Sequence, residues 1–309
     1  MLLISGFQLH QILDFPSLVG ALHDGFKNEI SVPQRHHHAF NAGGTLLLMP
    51  AWVEGQYLGI KIITVLPKNR DIGLPTIRGT YDLFNAETGE AIAQLDAPVL
   101  TNYRTAATSA LAASYLARKE VSRFLMIGTG SLAPFLIRSH LAVRSYSEVM
   151  VWGRNREKTM QLVESLNGEV NLTPVEDLAK AVKHADVIST ATMAKDPVIP
   201  GDWIKPGTHL DLVGSYKPDM READDSVVIK SKVYVDTLQA LTESGDLVIP
   251  LSSGVLDQSN IVGTLPELVK GEITGRTNES EITLYKSVGH ASQDLIAAVY
   301  AYENYGTHF

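Results

Sequence analysis

The sequence contains no cysteine among its 309 residues. Disulfides, thiolate nucleophiles and cysteine-ligated zinc are therefore excluded. Positive charge is scarce as well, because 26 Lys and Arg residues face 34 Asp and Glu residues, and the net charge is −8. This balance argues against a nucleic-acid-binding protein, whose binding surface is usually basic. There is no apolar run of the ~20 residues that cross a membrane and no positively charged leader, so we expect a cytoplasmic protein.

The residues that are present suffice for two packed domains. Hydrophobic residues make up 45% of the chain, and its length corresponds to about two domains of ~150 residues. Residues 1–30 read as a strand followed by a helix, and strand-like segments separated by turn signals dominate residues 44–100. An Ala-rich helix is predicted at 104–118. The charged stretch Arg118-Lys119-Glu120 follows it, and we place the main domain boundary there, near residue 119.

Beyond this boundary, apolar strands alternate with helical patterns. Such alternation predicts a parallel sheet with both faces covered by helices, and hence an α/β fold. From Asp294 the chain again reads as an amphipathic helix. The predicted strands are 123–127, 148–152, 186–191, 208–213 and 231–236, and the helical patterns include 157–166 and 174–185.

A glycine-rich loop, Gly128-Thr129-Gly130-Ser131-Leu132-Ala133, lies between the first of these strands and a predicted helix at 133–143. In this context Gly128 permits a tight turn, Gly130 lets the backbone approach a pyrophosphate, and Ala133 packs the helix against the strand. The start of the helix offers free N–H groups to the phosphates. The motif therefore predicts a Rossmann domain. The cofactor contacts expected here are Gly128, Gly130, Ser131 and Leu132.

The end of the second strand indicates which nicotinamide cofactor is used. NAD sites place an acid there for the ribose 2′-hydroxyl, whereas NADP sites use an arginine for the 2′-phosphate. Here the chain reads Trp152-Gly153-Arg154-Asn155-Arg156, and no acid occurs before Glu157. Two guanidiniums beside an amide suit phosphate capture, although they could also be solvated loop residues. We predict a preference for NADPH, bound by Arg154, Asn155 and Arg156, with NADH as an alternative.

Ordered segments of one known family recur along the chain. They are Val32-Pro33-Gln34-Arg35, Leu48-Met49-Pro50-Ala51, the strand around Lys61, residues 83–89, Arg104-Thr105-Ala106-Ala107, the glycine-rich loop, Val213-Gly214-Ser215, Tyr234-Val235-Asp236 and residues 243–246. Through them the sequence resembles the ornithine cyclodeaminase/mu-crystallin family over nearly its full length. The resemblance implies a discontinuous substrate-binding and dimerisation domain, residues 1–119 and 288–309, and a Rossmann NADP-binding domain at 120–287. It also implies a homodimer formed through the sheet of the first domain.

The family's substrate is an amino acid or its imine, and the resemblance implies that Arg35 and Arg104 hold its carboxylate beside Lys61. Two guanidiniums and an ammonium would bind a small carboxylate and orient the neighbouring carbon for hydride transfer. We therefore give all three residues binding and catalytic roles, although each could instead be solvated or ion-paired. Arg104 begins the predicted helix, where its charge meets the positive end of the helix dipole, and a bound ligand would explain this placement.

The resemblance also implies further cofactor contacts, and the sequence offers candidates that it does not settle. In His36-His37-His38, strand geometry lets at most His36 and His38 converge, which is too few ligands for zinc, so we expect no metal. We place His38 in the substrate cleft, where it could move protons. His290 could belong to the active site or simply start a helix. The further cofactor contacts implied are Thr80, Arg104, Thr190, Val213, Gly214 and Ser287.

One departure from the family pattern bears on the reaction. Cyclodeaminases of this family carry an Asp directly after the Gly-Gly or Gly-Ser of the Val-Gly segment, and that Asp helps water to release ammonia. Here Tyr216 follows Gly214-Ser215, and Asp219 lies too far along to substitute. A phenol cannot replace a carboxylate base at neutral pH. The pattern from Ser215 to Glu222 resembles the family's ketimine reductases instead.

We therefore expect NADPH-dependent reduction of a small cyclic ketimine carboxylate. The substrate would be Δ1-pyrroline-2-carboxylate, giving L-proline, or its six-membered analogue, giving L-pipecolate. Two alternatives stay open. One is an ornithine cyclodeaminase or an alanine dehydrogenase-like deaminase, which an ammonia-release assay would detect. The other is an NADPH-gated small-ligand binding protein.

Overall fold

The computed structural model describes residues 1–41 and 43–309 and divides the chain into two compact units. Unit 1 comprises residues 1–108 and 290–309, and unit 2 comprises residues 109–289. The first boundary falls inside helix α3, Ala97–Leu116, rather than near residue 119. The charged stretch at 118–120 therefore follows the end of a helix and does not mark the change of unit.

Unit 1 is built around a six-stranded sheet. Its elements are β1 (Leu2–Ile4), α1 (Gly6–Ile12), α2 (Phe15–Gly25), β2 (His36–Phe40), β3 (Gly44–Val53), β4 (Tyr57–Val65), a 3₁₀ turn (Pro67–Ile72), β5 (Ile77–Asn85), β6 (Ala91–Asp96), the first part of α3, and α11 (Ala291–His308). The strand order is β1-β6-β5-β4-β3-β2, with β1 parallel to β6 and the other pairs antiparallel. Helix α11 packs against β3, β4 and β5 on one face of the sheet.

Two helix boundaries in unit 1 differ from the sequence prediction. The single N-terminal helix is in fact two helices, because Asp14 caps a new helix by accepting a hydrogen bond from the Ser17 N–H and Pro16 lies in its first turn. The Ala-rich helix begins at Ala97 rather than at Arg104, so Arg104 lies in its interior. The argument from the helix dipole at Arg104 was therefore wrong.

Unit 2 is an eight-stranded, entirely parallel sheet in the order β13-β12-β14-β11-β10-β7-β8-β9. Its strands are β7 (Arg123–Ile127), β8 (Glu148–Trp152), β9 (Leu172–Pro174), β10 (Val187–Thr190), β11 (His209–Leu212), β12 (Ser231–Val235), β13 (Ile261–Thr264) and β14 (Ile282–Lys286). Its helices are α4 (Ala133–Val143), α5 (Arg156–Ser165), α6 (Leu178–His184), α7 (Asp225–Lys230), α8 (Ala240–Glu243), α9 (Gly245–Ser252) and α10 (Leu265–Lys270). The predicted α/β fold is confirmed.

The strand order locates the ligand site of unit 2. The order reverses at β7, with β8 and β9 on one side and β10 and β11 on the other. In open parallel sheets, ligands bind at the carboxyl ends of the strands where the order reverses. The glycine-rich loop follows β7 and so lies at this point. Among the described helices of either unit, none is long and apolar enough to cross a membrane.

Candidate active site

The loop after β7 requires its first glycine. Gly128 has φ +115°, and a Cβ atom there would lie 2.6 Å from the Ala191 carbonyl oxygen. A side chain would therefore be strained by the backbone conformation and would also clash. At Gly130, by contrast, a Cβ would meet no atom within 4 Å, so the backbone is open to a close-approaching ligand.

The helix that follows fits an anionic group. Ala133 begins α4 and is fully buried, as close helix–strand packing requires. Within the described chain, no side chain caps the start of this helix, although the Ala133 N–H donates to the Gly130 carbonyl at 3.0 Å and the Phe135 N–H to the Leu132 carbonyl at 3.1 Å. The positive end of the helix dipole at this point still favours an anion such as a phosphate. Nearby, Thr190 ends β10 with a buried hydroxyl that has no hydrogen-bond partner among the described residues. This combination fits a bound dinucleotide.

The structure reduces the set of predicted 2′-phosphate ligands. Asn155 caps α5, because its Oδ1 accepts a hydrogen bond from the Lys158 N–H at 3.0 Å. Arg156 forms an exposed ion pair with Glu176. Arg154 is exposed and makes no ion pair within the described part of the chain. Of the three, Arg154 is therefore the residue whose charge remains available to a phosphate.

The other predicted cofactor residues of unit 2 lie at the same edge of the sheet. Val213 and Gly214 follow β11, and Ser287 follows β14, so both segments lie at carboxyl ends of strands near the glycine-rich loop. The Ser287 hydroxyl donates to Asp236 Oδ2 at 3.0 Å, and the same oxygen accepts the Gly289 N–H at 2.7 Å. Asp236 thus fixes the loop that carries Ser287.

Unit 1 contains a buried cluster of charges. Lys61 lies on β4 and is 3% exposed, while Arg104 lies in α3 and is 4% exposed. Both contact Asp294, a fully buried residue in the first turn of α11. Lys61 Nζ lies 2.7 Å from Asp294 Oδ2, and Arg104 Nε donates to Asp294 Oδ1 at 2.8 Å. Arg104 Nη1 also donates to Gln293 Oε1 at 2.7 Å.

The electrostatics of this cluster favour binding of an anion. Burial lowers the pKa of Lys61 to about 8, with Asp294 opposing the shift and Arg104 and Arg35 reinforcing it. Burial also disfavours ionisation of Asp294, but Arg104 and Lys61 outweigh it and hold its pKa below the ordinary value. Arg35 is thus close enough to act on Lys61. Lys61 and Arg104 share one carboxylate and Arg35 acts on the same cluster, so the cluster keeps a surplus of positive charge that a ligand carboxylate would reduce.

Sequence reasoning missed Asp294 and its neighbour Gln293. Asp294 was interpreted only as part of an amphipathic C-terminal helix, yet both residues are buried in its first turn. A signal was present, since two polar residues stand on the side of the helix that carries the buried Leu295 and Ala298. Tyr81 was missed as well. It pairs with Lys61 across the β4–β5 register and is fully buried, and it lies over Gly59, where a Cβ would be 2.0 Å from its hydroxyl.

The structure does not support His38 as a substrate ligand. The three histidines lie on β2, and the rings of His36 and His38 stack with centroids 6.1 Å apart, so these two share a face as predicted. His36 and His38 pair with Leu48 and Leu46 on β3. The side chains of these leucines point to the side of the sheet opposite the buried Met49, which pairs with Lys61. His37 therefore points to the Lys61 side. Burial lowers its pKa, and Arg35 and His38 lower it further.

The sequence also singled out Thr80, Tyr216 and His290. Thr80 is adjacent to Tyr81 on β5, so its side chain faces the opposite side of the sheet, where its hydroxyl contacts Asp82 at 3.4 Å. Thr80 therefore does not belong to the Lys61 cluster, and its contact with the cofactor stays a prediction. Tyr216 is 43% exposed in the loop after β11. His290 precedes α11 as its N-cap residue, and its Nδ1 lies 2.8 Å from the Ser292 hydroxyl. In the described residues, no group of three His, Cys, Asp or Glu could hold a metal ion.

Comparison with known proteins gives matches over the whole chain. The model of the ornithine cyclodeaminase/mu-crystallin family matches residues 8–308. A Δ1-pyrroline-2-carboxylate reductase of Paracoccus denitrificans is 41% identical over 260 residues, covering 83% of this chain and 82% of that protein.

Solved structures also match this chain over nearly its full length. The Δ1-pyrroline-2-carboxylate reductase of Thermococcus litoralis in complex with NADH and L-proline matches with a TM-score of 0.94 and 33% identity, over 100% of this chain and 98% of that one. An archaeal alanine dehydrogenase dimer with bound NAD matches with a TM-score of 0.93 and 29% identity, over 99% and 96% of the two chains.

Proposed function

This chain belongs to the ornithine cyclodeaminase/mu-crystallin family, as its sequence predicted, and we propose that it is an NADPH-dependent ketimine reductase. Its substrate is a small cyclic imine carboxylate: Δ1-pyrroline-2-carboxylate, reduced to L-proline, with Δ1-piperideine-2-carboxylate, reduced to L-pipecolate, as a second substrate. Relatives named Δ1-pyrroline-2-carboxylate reductase at 35–41% identity support this assignment.

The buried cluster of Lys61, Arg104 and Asp294 is the observation that carries the proposal. A substrate carboxylate would receive charge-assisted hydrogen bonds from the cations that Asp294 does not neutralise. Asp294 has a positioning role, because it holds the Lys61 ammonium and the Arg104 guanidinium in fixed places. A pinned carboxylate fixes the neighbouring C=N carbon, and such orientation supplies a large part of the rate enhancement.

The reaction makes few chemical demands on the protein. When bound, the reduced dinucleotide supplies the hydride that the imine carbon accepts. A protonated imine already carries the positive charge that draws a hydride, so no dedicated acid is required. Lys61, with its pKa lowered to about 8, can release or hold a proton near neutral pH and so adjust the charge beside the substrate.

We assign NADPH as the preferred cofactor on the strength of Arg154. The guanidinium is available at the end of β8, where NAD-specific sites place an acid, and the sequence has no acid before Glu157. The related reductase of Thermococcus litoralis is described with NADH, so NADH is retained as the alternative cofactor.

We further propose that the protein is a homodimer formed through the six-stranded sheet. Residues that alternate with Lys61 and its inward-facing neighbours point away from α11 and are partly exposed. They are mostly apolar and include Leu48, Trp52, Ile60, Ile62 and Phe84. An apolar sheet face of this kind suits a self-complementary, two-fold interface. The related archaeal alanine dehydrogenase is described as a dimer.

The deaminase alternatives are disfavoured by Tyr216. It stands where the cyclodeaminases have a carboxylate, and its exposed ring lies 5.7 Å from the Lys217 ammonium. Without that carboxylate, water attack on an imine lacks a base. A Tyr216→Asp variant that releases ammonia from ornithine, measured by a coupled assay, would show that this position separates the two reactions. An unmodified protein that releases ammonia as fast as it reduces imines would contradict the argument.

The proposal is tested by following NADPH oxidation at 340 nm with Δ1-pyrroline-2-carboxylate, Δ1-piperideine-2-carboxylate and pyruvate plus methylamine. We expect turnover with a cyclic imine, and a loss of at least ~10²-fold in kcat/KM for Arg104→Gln, because the carboxylate loses a charge-assisted partner. Arg70→Gln, at an exposed position, is the matched control and keeps full activity. Tight NADPH binding with no turnover of any imine would favour the ligand-binding alternative.

A further inference from the structure

Glu222 connects two loops at the ligand edge of unit 2. It is fully buried and accepts hydrogen bonds on both carboxylate oxygens. Oε1 accepts from the Thr192 N–H at 2.7 Å and from the Thr192 hydroxyl at 2.8 Å. Oε2 accepts from the Gly214 N–H at 2.7 Å and the Ser215 N–H at 3.3 Å. Thr192 follows β10 and Gly214 follows β11, so one carboxylate bridges the ends of two neighbouring strands.

A second buried pair holds Glu222 itself in place. Asp246 Oδ1 accepts from the Glu222 N–H at 2.7 Å and the Ala223 N–H at 3.1 Å, and Asp246 Oδ2 lies 3.1 Å from Lys286 Nζ. Asp246 and Lys286 are both fully buried. Lys286 ends β14, the strand on the far side of β11, so the arrangement runs across the carboxyl ends of three adjacent strands.

The two bridged loops approach each other closely. A Cβ at Gly214 would lie 2.1 Å from the Thr192 carbonyl oxygen and 2.5 Å from Glu222 Oε1, so a side chain at this position would push the loops apart. Arg221, next to Glu222, adds a backbone link by donating its N–H to the Ala194 carbonyl at 2.8 Å. The relative position of the two loops therefore depends on Glu222 and on the absence of a side chain at Gly214.

Strand order tells which part of a dinucleotide these loops face. The adenosine ribose is read at the end of β8 and the pyrophosphate lies at the loop after β7. An extended dinucleotide would continue past β7 towards β10 and then β11, which would place its nicotinamide half over the loops that Glu222 holds. We propose that Glu222 is a positioning residue that shapes the nicotinamide half of the cofactor site, an inference that rests on the proposed use of a nicotinamide dinucleotide.

Binding measurements without any imine test this role. A Glu222→Gln side chain has one acceptor oxygen, and its NH₂ group would face N–H donors of one loop. We expect the Kd of NADPH, measured by its fluorescence change, to rise at least tenfold. The Kd of 2′-phospho-ADP-ribose, which lacks the nicotinamide, should change less than twofold. Thr192→Val removes one of the four hydrogen bonds and leaves the carboxylate, so it should show a smaller change of the same selectivity.

The matched control is Asp186→Asn. Asp186 is also buried and accepts two backbone N–H groups, from Ser122 and Arg123, but at the amino ends of β7 and β10. It should lower the melting temperature without changing either Kd. Equal loss of both ligands in Glu222→Gln, or no loss of either, would overturn the proposal. If the unmodified protein binds NADPH but reduces no imine, the proposed reaction fails while the role of Glu222 is still tested. If it binds no dinucleotide, both fail.

Discussion

Asp294 shows how one buried carboxylate organises the unit 1 site. It contacts both Lys61 and Arg104, which come from different elements and are far apart in the sequence. The sequence predicted Lys61 and Arg104 because they are cationic and lie in segments shared with the family, and both facts indicate a site for an anion. It did not predict Asp294, because a carboxylate in the first turn of a helix has an ordinary explanation in the helix dipole. Only the packing of α11 on β4 reveals what it holds in place.

Replacing Asp294 should destabilise the protein strongly. Asp294→Asn leaves two buried cations without their shared carboxylate, and removing one partner of a buried ion pair costs about 3–5 kcal/mol. Lys61→Met in the Asp294→Asn background should recover part of that loss, because it removes one of the stranded charges. Urea unfolding of the two single variants and the double variant measures this coupling. Strictly additive effects would show that the two residues do not act together.

The low pKa of Lys61 predicts a pH limit on carboxylate binding. Above about pH 8 the ammonium loses its proton, so the cluster loses one positive charge. The inhibition constant of pyrrole-2-carboxylate, whose ring does not titrate in this range, should rise several-fold between about pH 7 and pH 9.5. Lys61→Met should bind the inhibitor weakly and with no such dependence. The same pH profile in both proteins would rule out Lys61 as the titrating group.

This pH effect is separable from unfolding. Because the folded protein releases the Lys61 proton at a lower pH than the unfolded chain does, the unfolded state binds more protons between about pH 8 and the ordinary lysine pKa of 10.5. The contribution of Lys61 to the free energy of unfolding therefore increases as pH rises through this window. As pH rises, the affinity for pyrrole-2-carboxylate should therefore fall, whereas the contribution of Lys61 to the stability of the fold should increase.

Arg154 should set the choice between the two cofactors. Arg154→Ala removes the guanidinium that is available to a 2′-phosphate, so kcat/KM for NADPH should fall at least ~10-fold while that for NADH changes little. Arg156→Ala is the matched control. Its side chain already pairs with Glu176 at an exposed position, so its loss should matter less. Equal use of NADH and NADPH by the unmodified protein, with no effect of Arg154→Ala, would contradict the NADPH assignment.

At the scale of elements, periodicity predicted which residues share a face but not which face is buried. The alternation on β2 correctly paired His36 with His38, yet the Lys61 side is the face of His37. The buried face is chosen by α11, whose packing lies far along the sequence. The strands of unit 2 were easier to predict from the sequence, because a parallel strand that is buried on both faces forms a continuous apolar run, as in β7 and β8.

Some elements gave too little signal to be predicted. Strands β9 and β13 have three and four residues, which is too short for a periodic pattern. Strand β14 carries Thr283 and Lys286, two polar residues that are fully buried because Arg276 and Asp246 satisfy them. A central strand that contains buried polar residues cannot be recognised from the sequence unless the partners of those residues are known. Helix α3 begins at Ala97, seven residues before the predicted start, and Pro98 occupies its first turn, where proline is tolerated.

At the scale of the whole molecule, the two faces of the six-stranded sheet differ in character. The face towards α11 holds the charges of the candidate site, and the opposite face is apolar and partly exposed. The same strands carry both, since Ile60 and Ile62 flank Lys61 on β4. A dimer through the apolar face would therefore support the strand that positions Lys61. This gives the proposed assembly a consequence for the site beyond covering apolar surface.

A charge placed on the apolar face should separate the proposed dimer. Ile60→Lys puts an ammonium on the apolar face of β4, where the proposed interface would bury it without a partner charge. Light scattering at micromolar concentration should give twice the chain mass for the unmodified protein and the mass of one chain for the variant. Ile229→Lys, at a 58% exposed position of α7, is the matched control and should leave the mass unchanged. A monomeric unmodified protein, or an Ile60→Lys dimer, would refute this interface. If the variant is monomeric and its affinity for pyrrole-2-carboxylate also falls, the dimer contact supports the strand that holds Lys61.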